Sequence, residues 1–232
     1  LPHPQVINEY AKMMIGGENI LDKKTTEARE IIVEWLRNEG LLEKEEEVNQ
    51  NISIAERTGG VIEPLPKLQW FIDVNKKISA RNDKSLKELM LEPVRDGKIK
   101  ILPDHFEKVY FNWIENLRDW CISRQIWYGH RIPVWYKDDE IYCDTNAPSG
   151  NGWSQDEDTL DTWFSAGLWS FSTLGWPNQT VDLKKFHPTN VINPGYEILF
   201  FWVARMILMS QYLLGEIPFE TVYLHGMLRD TK

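Results

Sequence analysis

The C-terminal part of the chain contains the feature that most restricts the possible folds. Residues 190–193 and 219–224 predict strands, and the apolar run 196–214 between them predicts a long buried helix. Gly195 stands where the first strand would turn into the helix, and Gly215 stands where the helix would end. A strand, a buried helix and a second strand form a βαβ unit with parallel strands. The chain is therefore predicted to have an α/β fold that binds ligands at the carboxyl ends of these strands.

Charge and cysteine content narrow the class of protein. The net charge of −9 over 232 residues argues against a dedicated polyanion binder, although a local basic stripe can still bind nucleic acid. Residues 198–214 carry Arg205 near their middle, so we interpret them as a buried helix and not as a membrane span. The two cysteines, Cys121 and Cys143, form no CxxC pair. We therefore expect a cytoplasmic protein without a structural zinc site.

The residues before the βαβ unit predict a mixed α+β region. Residues 25–39 predict a helix with Trp35 on its apolar face. Residues 41–64 predict short strands, with a charged edge formed by the glutamates of residues 43–47. We place the boundary between this region and the α/β region within residues 102–111.

The glycine turn and the end of the second strand predict a ligand site. A glycine at position 195 lets the backbone approach a ligand closely, and the free N–H groups of the first helical turn would face that ligand. Glu197 lies in the same turn and can accept hydrogen bonds from ribose hydroxyls. His225 and Gly226 follow the second strand, where a histidine serves either a site or the structure.

Two tryptophans predict either an apolar pocket or ordinary core. Trp202 lies five residues after Glu197, well placed to line a side pocket. Trp163 precedes Gly167 by four residues on one face of a helix that Asp158 is predicted to cap. A large ring beside a missing side chain can form a slot for a small aliphatic group. Close helix packing is the alternative explanation for Gly167.

Three arginines lie among aromatic residues. Arg118, Arg124 and Arg131 interleave with Trp120 and Trp127. Cations and aromatic faces together can bind the backbone and bases of RNA. The alternative is that they form cation–π contacts and ion pairs within the fold.

Three long runs carry a resemblance to a known family. They are ENLRDWCISRQIWYGHRIP (residues 115–133), DTLDTWFSAGLWSFSTLGWP (158–177) and GYEILFFWVARM (195–206). They resemble class I aminoacyl-tRNA synthetases of the valine, isoleucine and leucine branch, and the last two are similar to the valine-specific members. Residues 56–74 resemble the segment by which the editing insertion of this family returns to the catalytic domain. Several long motifs in order are more specific than one short motif.

The resemblance implies a fold, an activity and partners. It implies that residues 105–232 form the second half of a Rossmann-type catalytic domain. Residues 1–104 would be the C-terminal part of the editing insertion and its return stem. The implied activity is activation of valine by ATP with Mg and its ligation to tRNA(Val), with editing of mischarged tRNA. An isoleucyl- or leucyl-type enzyme and a non-catalytic RNA-binding module of the same fold are the alternatives.

The resemblance also assigns roles to residues. The implied valine pocket consists of Trp163, Ile198 and Trp202, and the implied ATP or adenylate site consists of Gly195, Glu197, His225 and Gly226. Contacts to tRNA are implied for Arg118, Arg124 and Arg131. The chain departs from the valine-specific pattern in two places, because Pro194 stands where Thr is usual and Glu197 stands where Asp is usual.

The resemblance leads us to expect an internal fragment. The HIGH motif of the family would lie far upstream and its KMSKS motif just beyond Lys232. We therefore expect no catalytic residue here, no activity by the fragment alone, and the remainder of the synthetase chain as a partner. The cysteine pairs that many relatives carry near residues 56–63 and 143 are missing, so the resemblance implies no zinc.

Overall fold

The computed structural model describes residues 4–56, 58–227 and 230. They divide into two compact units, Leu1–Leu68 and Gln69–Lys232. The α-helices are α1 (Thr25–Asn38), α2 (Leu86–Arg95), α3 (His105–Glu115), α4 (Thr162–Ala166), α5 (Trp169–Ser172), α6 (Val181–Phe186) and α7 (Ala204–Leu213). The strands are β1 (Phe71–Ile72), β2 (Lys100–Leu102), β3 (Trp120–Cys121), β4 (Ser123–Arg124), β5 (Val134–Lys137), β6 (Glu140–Cys143), β7 (Ser154–Gln155), β8 (Thr159–Leu160), β9 (Thr189–Ile192) and β10 (Phe219–Tyr223).

Helix α1 is the main regular element of the first unit. Its predicted position is confirmed, and Gly40, with φ of 66°, follows its C-terminal end. Ala28 is the one residue of α1 that is buried, and Trp35 remains 54% exposed. The apolar face of α1 is thus largely uncovered.

The strands predicted within residues 41–64 are wrong. In the described part of this segment, which excludes residue 57, the structure has one isolated antiparallel bridge, between Ile54 and Val61. Val48 and Ile52, like both bridge residues, are more than half exposed. A strand is stabilised by a paired neighbour and by burial of one face. Because these residues have little of either, their β-forming side chains do not produce a sheet.

Helix α2 and the residues that cover it begin the core of the second unit. Ser85 caps α2 through a capping box, since its Oγ accepts from the Glu88 N–H and the Glu88 carboxylate accepts from the Ser85 N–H. Tyr110 of α3 is fully buried, and its hydroxyl donates to the Met90 carbonyl at 3.0 Å. Burial raises the pKa of this hydroxyl, so it remains a protonated donor at neutral pH.

The predicted βαβ unit is confirmed. Strand β10 pairs in parallel with β9 on one side and with β2 on the other. Phe219 and Val222 of β10 are fully buried, which agrees with a central strand. The inclusion of β2 shows that residues 100–102 belong to the same sheet as the βαβ unit.

The crossover between β9 and β10 differs from the single helix predicted for residues 196–214. It begins with a 3₁₀ turn, Tyr196–Ile198, continues as a π-helical segment, Leu199–Val203, and becomes α-helical in α7. Every residue from Ala204 to Ser210 is buried. The all-apolar pattern predicts burial correctly but does not distinguish the three helix types, because their hydrogen-bond spacing depends on tertiary contacts.

Antiparallel pairs complete the second unit. Strands β5 and β6 form a hairpin, with Asp138 in the left-handed region at φ of 51°. Strand β7 pairs with the other side of β5.

The two compact units meet in sequence at residues 68 and 69, whereas the resemblance places a domain boundary at residue 104. Assignment of residues 1–104 to an editing insertion and its stem therefore stays a prediction.

Candidate functional site

The parallel ladder continues beyond the ends of β9 and β10 and brings Gly195 beside His225. The Tyr196 N–H donates to the His225 carbonyl, and the His225 N–H donates to the Pro194 carbonyl, each at 3.1 Å. Both strands are parallel, so their following residues meet at one edge of the sheet. The edge predicted to hold a nucleotide therefore contains the predicted residues from both strands.

Gly195 is required for space and not for backbone conformation. Its φ of −63° and ψ of 148° are available to any residue, which corrects the expectation of a tight glycine turn. A Cβ atom at this position would overlap the carboxylate of Glu197, which folds back over Gly195. The missing side chain thus leaves room for Glu197 to lie across the N-terminal end of the 3₁₀ turn.

Glu197 and His225 present polar groups at this edge. The Glu197 side chain is exposed and, when ionised, offers acceptors alone. His225 is also exposed, and its Nδ1 lies 2.8 Å from the Gly226 carbonyl. Since a carbonyl can only accept, Nδ1 carries a proton in this contact, and Nε2 of the neutral ring is then an acceptor. Among the described residues, no atom lies within 4 Å of a Cβ built on Gly226, so the edge is open there.

The structure brings the segments of Trp163 and Trp202 together but gives each ring a different aromatic neighbour. The Trp163 ring stacks on Phe201, with centroids 5.7 Å apart, and the Trp202 ring lies 5.5 Å from Trp169. The Trp202 indole N–H donates to the Ala166 carbonyl at 3.0 Å, which joins the π-helical segment to α4. Both tryptophans are half-buried. Ile198, also half-buried, ends the 3₁₀ turn that contains Glu197.

Gly167 permits close helix packing, as the alternative interpretation held. A Cβ at Gly167 would approach Met209 Cγ to 3.1 Å and the Arg205 carbonyl to 3.3 Å, and both residues belong to α7. The helix that carries Trp163 is capped by Asp161, whose side chain accepts from the Trp163 N–H. The prediction that Asp158 caps this helix is wrong, because β8 lies between Asp158 and the helix start.

Two of the three candidate tRNA-binding arginines are held by the fold. Arg124 donates to the Cys121 and Ser123 carbonyls and forms an ion pair with Asp161 at 3.1 Å. Arg131 donates to the carbonyls of residues 155 and 156. Arg118 and Arg131 are both exposed, but the Arg118 side chain makes no hydrogen bond or ion pair with the described residues.

The prediction from sequence missed a buried cluster around Arg205. Arg205 is 7% exposed, and its Cζ lies 3.8 Å from the ring centroid of Trp120 and 5.6 Å from that of Trp113. Burial lowers the pKa of its guanidinium to about 10, and the nearby Asp161 carboxylate opposes that shift, so the group is charged at neutral pH. The sequence did contain a signal for this cluster, because Arg205 is a single cation within a long apolar run. A cation in such a position is buried only beside groups that compensate its charge.

The described residues offer neither a metal-binding cluster nor a membrane-spanning helix. Within the described parts of the chain, no three histidine, cysteine or acidic side chains are grouped so that they could hold a metal ion. Among the same residues, none of the helices combines the length and apolar character needed to cross a membrane.

Comparison with known proteins places this geometry in a family. The family model for class I tRNA synthetases (I, L, M and V) matches residues 18–151 and 147–232. The chain belongs to the class I tRNA synthetases. The valine--tRNA ligase of Streptomyces avermitilis is 48% identical over 238 residues, covering 99% of this chain and 26% of that protein. The valine--tRNA ligase of Oceanobacillus iheyensis is 44% identical over 229 residues, covering 97% of this chain and 25% of that protein.

The solved structures support the fold. A Mycobacterium tuberculosis methionyl-tRNA synthetase bound by methionyl-adenylate matches with a TM-score of 0.52 at 16% identity, covering 78% of this chain and 30% of that one. This class I synthetase chain thus has the expected α/β catalytic architecture. It spans about a quarter of the length of the valine--tRNA ligases it matches.

Proposed function

We propose that this chain is part of a valine--tRNA ligase, which activates valine with ATP and ligates it to tRNA(Val). The observation that carries the proposal is the edge where Gly195, Glu197 and His225 meet. It combines exposed hydrogen-bonding groups with an open approach at the carboxyl ends of parallel strands, the usual ligand position in such sheets. The substrates follow from the similarity to valine--tRNA ligases.

We assign the adenosine part of ATP or of the adenylate to this edge. The Glu197 carboxylate accepts hydrogen bonds from ribose hydroxyls, and the absent side chain of Gly195 keeps that carboxylate against the turn. His225 and Gly226 line the approach from the second strand. Mg enters with ATP as part of the substrate. These residues bind and orient the nucleotide, and none of them is proposed as an acid or base.

We assign the valine side chain to Trp163, Ile198 and Trp202. Ile198 and Glu197 are adjacent in the 3₁₀ turn, so an aliphatic group beside Ile198 would be near a nucleotide beside Glu197. Trp202 lies four residues after Ile198, and its N–H is held by the Ala166 carbonyl. Such an apolar pocket rejects threonine weakly, the problem for which valine enzymes are the standard example, and this supports editing by the whole protein.

We propose that residues 1–104 are the end of the editing insertion and its return stem, supported by the separate compact unit Leu1–Leu68. Arg118 is the best candidate for a tRNA contact because it is exposed and, unlike Arg131, donates to no described residue. Cys121 and Cys143 are free thiols, which supports a cytoplasmic location.

We also propose that the isolated 232 residues do not form an adenylate. The sequence contains neither a HIGH nor a KMSKS motif. In adenylate formation the valine carboxylate attacks the α-phosphate of ATP and pyrophosphate leaves. This step depends on cations and donors that stabilise the developing charge, and the resemblance implies that these two motifs supply them. ATP–pyrophosphate exchange by the isolated chain would contradict this proposal.

The decisive experiment is valine-dependent ATP–pyrophosphate exchange by the full-length protein that carries this chain. We expect Trp202→Ala to raise the KM for valine about tenfold or more, because the loss of apolar contact is worth roughly 1.5–3 kcal/mol. The KM for ATP should change little. Glu197→Ala should weaken ATP use, and Glu197→Asp should restore most of it, because the shorter acid keeps the acceptor.

Trp135→Ala is the matched control. Trp135 is half-buried like Trp202, but it lies in the antiparallel sheet β6-β5-β7. Its removal should leave the KM for valine unchanged. An unchanged KM for valine in Trp202→Ala would remove this residue from the pocket. Exchange supported by isoleucine or leucine in preference to valine would reject the proposed substrate.

A further inference from the structure

The cluster around Arg205 has an unsatisfied donor beside a cavity. Arg205 is more than nine-tenths buried, and its Nη1 has no hydrogen-bond partner among the described residues. Stacking on Trp120 offsets part of the charge but offers no conventional acceptor to this nitrogen. A buried guanidinium N–H without an acceptor is costly. The Arg205 guanidinium makes no hydrogen bond or ion pair with an acceptor group among the described residues.

The adjoining cavity has the chemistry to supply that group. Its volume is about 450 Å³, and Arg205, Arg118 and Arg124 lie on its walls together with Trp113 and Trp120. The cavity is open to solvent, so a small ion can enter from outside.

The charges around this cavity favour an anion. The described acidic groups next to the three arginines are Asp119, on the wall, and Asp161, which forms an ion pair with Arg124. Asp119 is partly engaged, because its Oδ1 accepts from the Val74 N–H at 3.1 Å. Three guanidinium groups facing two carboxylates leave a local positive excess in a chain whose net charge is −9.

We propose that this cavity binds a phosphate group, through the guanidinium groups of Arg205 and Arg118. The planar fork of an arginine matches the oxygens of a phosphate, and a phosphate has enough oxygens to accept from two arginines together. Arg124 is mostly engaged by Asp161 and by backbone carbonyls, so it contributes charge more than free donors. This site is separate from the residues assigned above to the adenosine and to valine.

Isothermal titration calorimetry of the 232-residue chain with inorganic phosphate, at constant ionic strength in chloride, tests the proposal. We expect saturable binding that Arg118→Gln weakens about fivefold. Arg205→Met should weaken it about tenfold or more, since a deeper contact is lost. Arg29→Gln is the matched control, because it makes the same change in net charge on exposed Arg29 of α1. It should leave the affinity unchanged.

Arginine side-chain NMR spectra provide a direct second readout. Phosphate should shift the Nε–H signals of Arg205 and Arg118 and leave that of Arg29 in place. A parallel titration with a short single-stranded RNA identifies the source of the phosphate. Tighter binding of the RNA, also lost in Arg118→Gln, would assign the site to an RNA backbone, and equal or weaker binding would assign it to free phosphate.

Two outcomes would overturn the proposal. One is an absence of phosphate binding above the chloride background by wild-type protein. The other is binding with equal affinity in wild type and Arg118→Gln, without a shift of the Arg205 signal. If Arg205→Met fails to fold by circular dichroism, the Arg118→Gln result and the spectra still decide. Both readouts are independent of adenylate formation, so failure here would leave the proposed nucleotide and valine sites untouched and would count only against Arg118 as a tRNA contact.

Discussion

The two compact units of this chain bury their apolar residues to very different extents. In Gln69–Lys232, α7 is buried at every position from Ala204 to Ser210. In Leu1–Leu68, α1 buries Ala28 alone, and the valine and isoleucine residues that follow it stay mostly exposed. Both regions are rich in residues that favour regular structure. The difference teaches that such residues form stable elements only where a second layer covers them.

The largest effect should come from truncating the core of the second unit. Phe171 is fully buried, and its ring contacts Trp176 with centroids 5.3 Å apart. Phe171→Ala should reduce the free energy of unfolding by about 3–5 kcal/mol, because it removes apolar contact and leaves a cavity. Denaturant unfolding followed by circular dichroism measures this loss. A loss below about 1 kcal/mol would mean that this core is no better packed than the first unit.

A smaller loss of unfolding free energy should distinguish the N-terminal cap of α2 from the uncapped N-terminus of α1. Ser85→Ala should cost about 1 kcal/mol of unfolding free energy, because it removes the capping box of α2. Helix α1 begins after Lys24 without a side-chain cap. Thr26→Ala, an equivalent truncation in its first turn, should therefore change stability little. Equal losses in both variants would contradict this difference in capping.

A modest pH dependence should arise from His187 in the second unit. Burial lowers the pKa of His187 below its usual 6.5, and Glu216 acts in the opposite direction, so the net effect is small. The folded state holds the neutral ring, so its contribution is complete above pH 6.5 and is lost as the pH falls through the lowered pKa. Unfolding free energies at pH 7.5 and 5.5 should differ less in His187→Gln than in wild type. The same difference in both proteins would exclude His187 as the cause, and His130→Gln is the exposed control.

The smallest effect should come from the single tryptophan of the first unit. Trp35 is 54% exposed on α1, so Trp35→Ala should change the unfolding free energy by less than about 0.5 kcal/mol. Loss of a buried tryptophan would cost roughly 3–5 kcal/mol. The same unfolding measurement applies here. A loss above about 1 kcal/mol would show that α1 is covered in solution.

The difference in burial between the two units also explains which parts of the structure could be predicted from sequence. The βαβ unit was predictable because its apolar runs and glycines repeat the local pattern of strand, turn and helix. The meeting of Gly195 and His225 followed, since parallel strands end at one edge. In residues 41–64 the side chains favour strands, but the local sequence does not show whether another element packs against them.

The details of the site depended on contacts that are distant in sequence. The aromatic neighbours of Trp163 and Trp202, which are Phe201 and Trp169, lie 38 and 33 residues away in sequence. The pairing of these rings cannot be deduced from spacing along one helix. Arg205 was visible as a cation in an apolar run, but its stacking on Trp120 depends on the position of a strand from another part of the chain.

The π-helical segment Leu199–Val203 has a consequence for how this protein tolerates length changes. A π turn contains one residue more than an α turn, so it acts as a local insertion. Deletion of one residue there would restore an even helical pitch and rotate everything before it by about 100° relative to α7. Glu197 would then point in a different direction relative to Arg205 of α7, although each residue would keep its sequence neighbours. We therefore expect this segment to tolerate substitution of most residues better than the deletion or insertion of one.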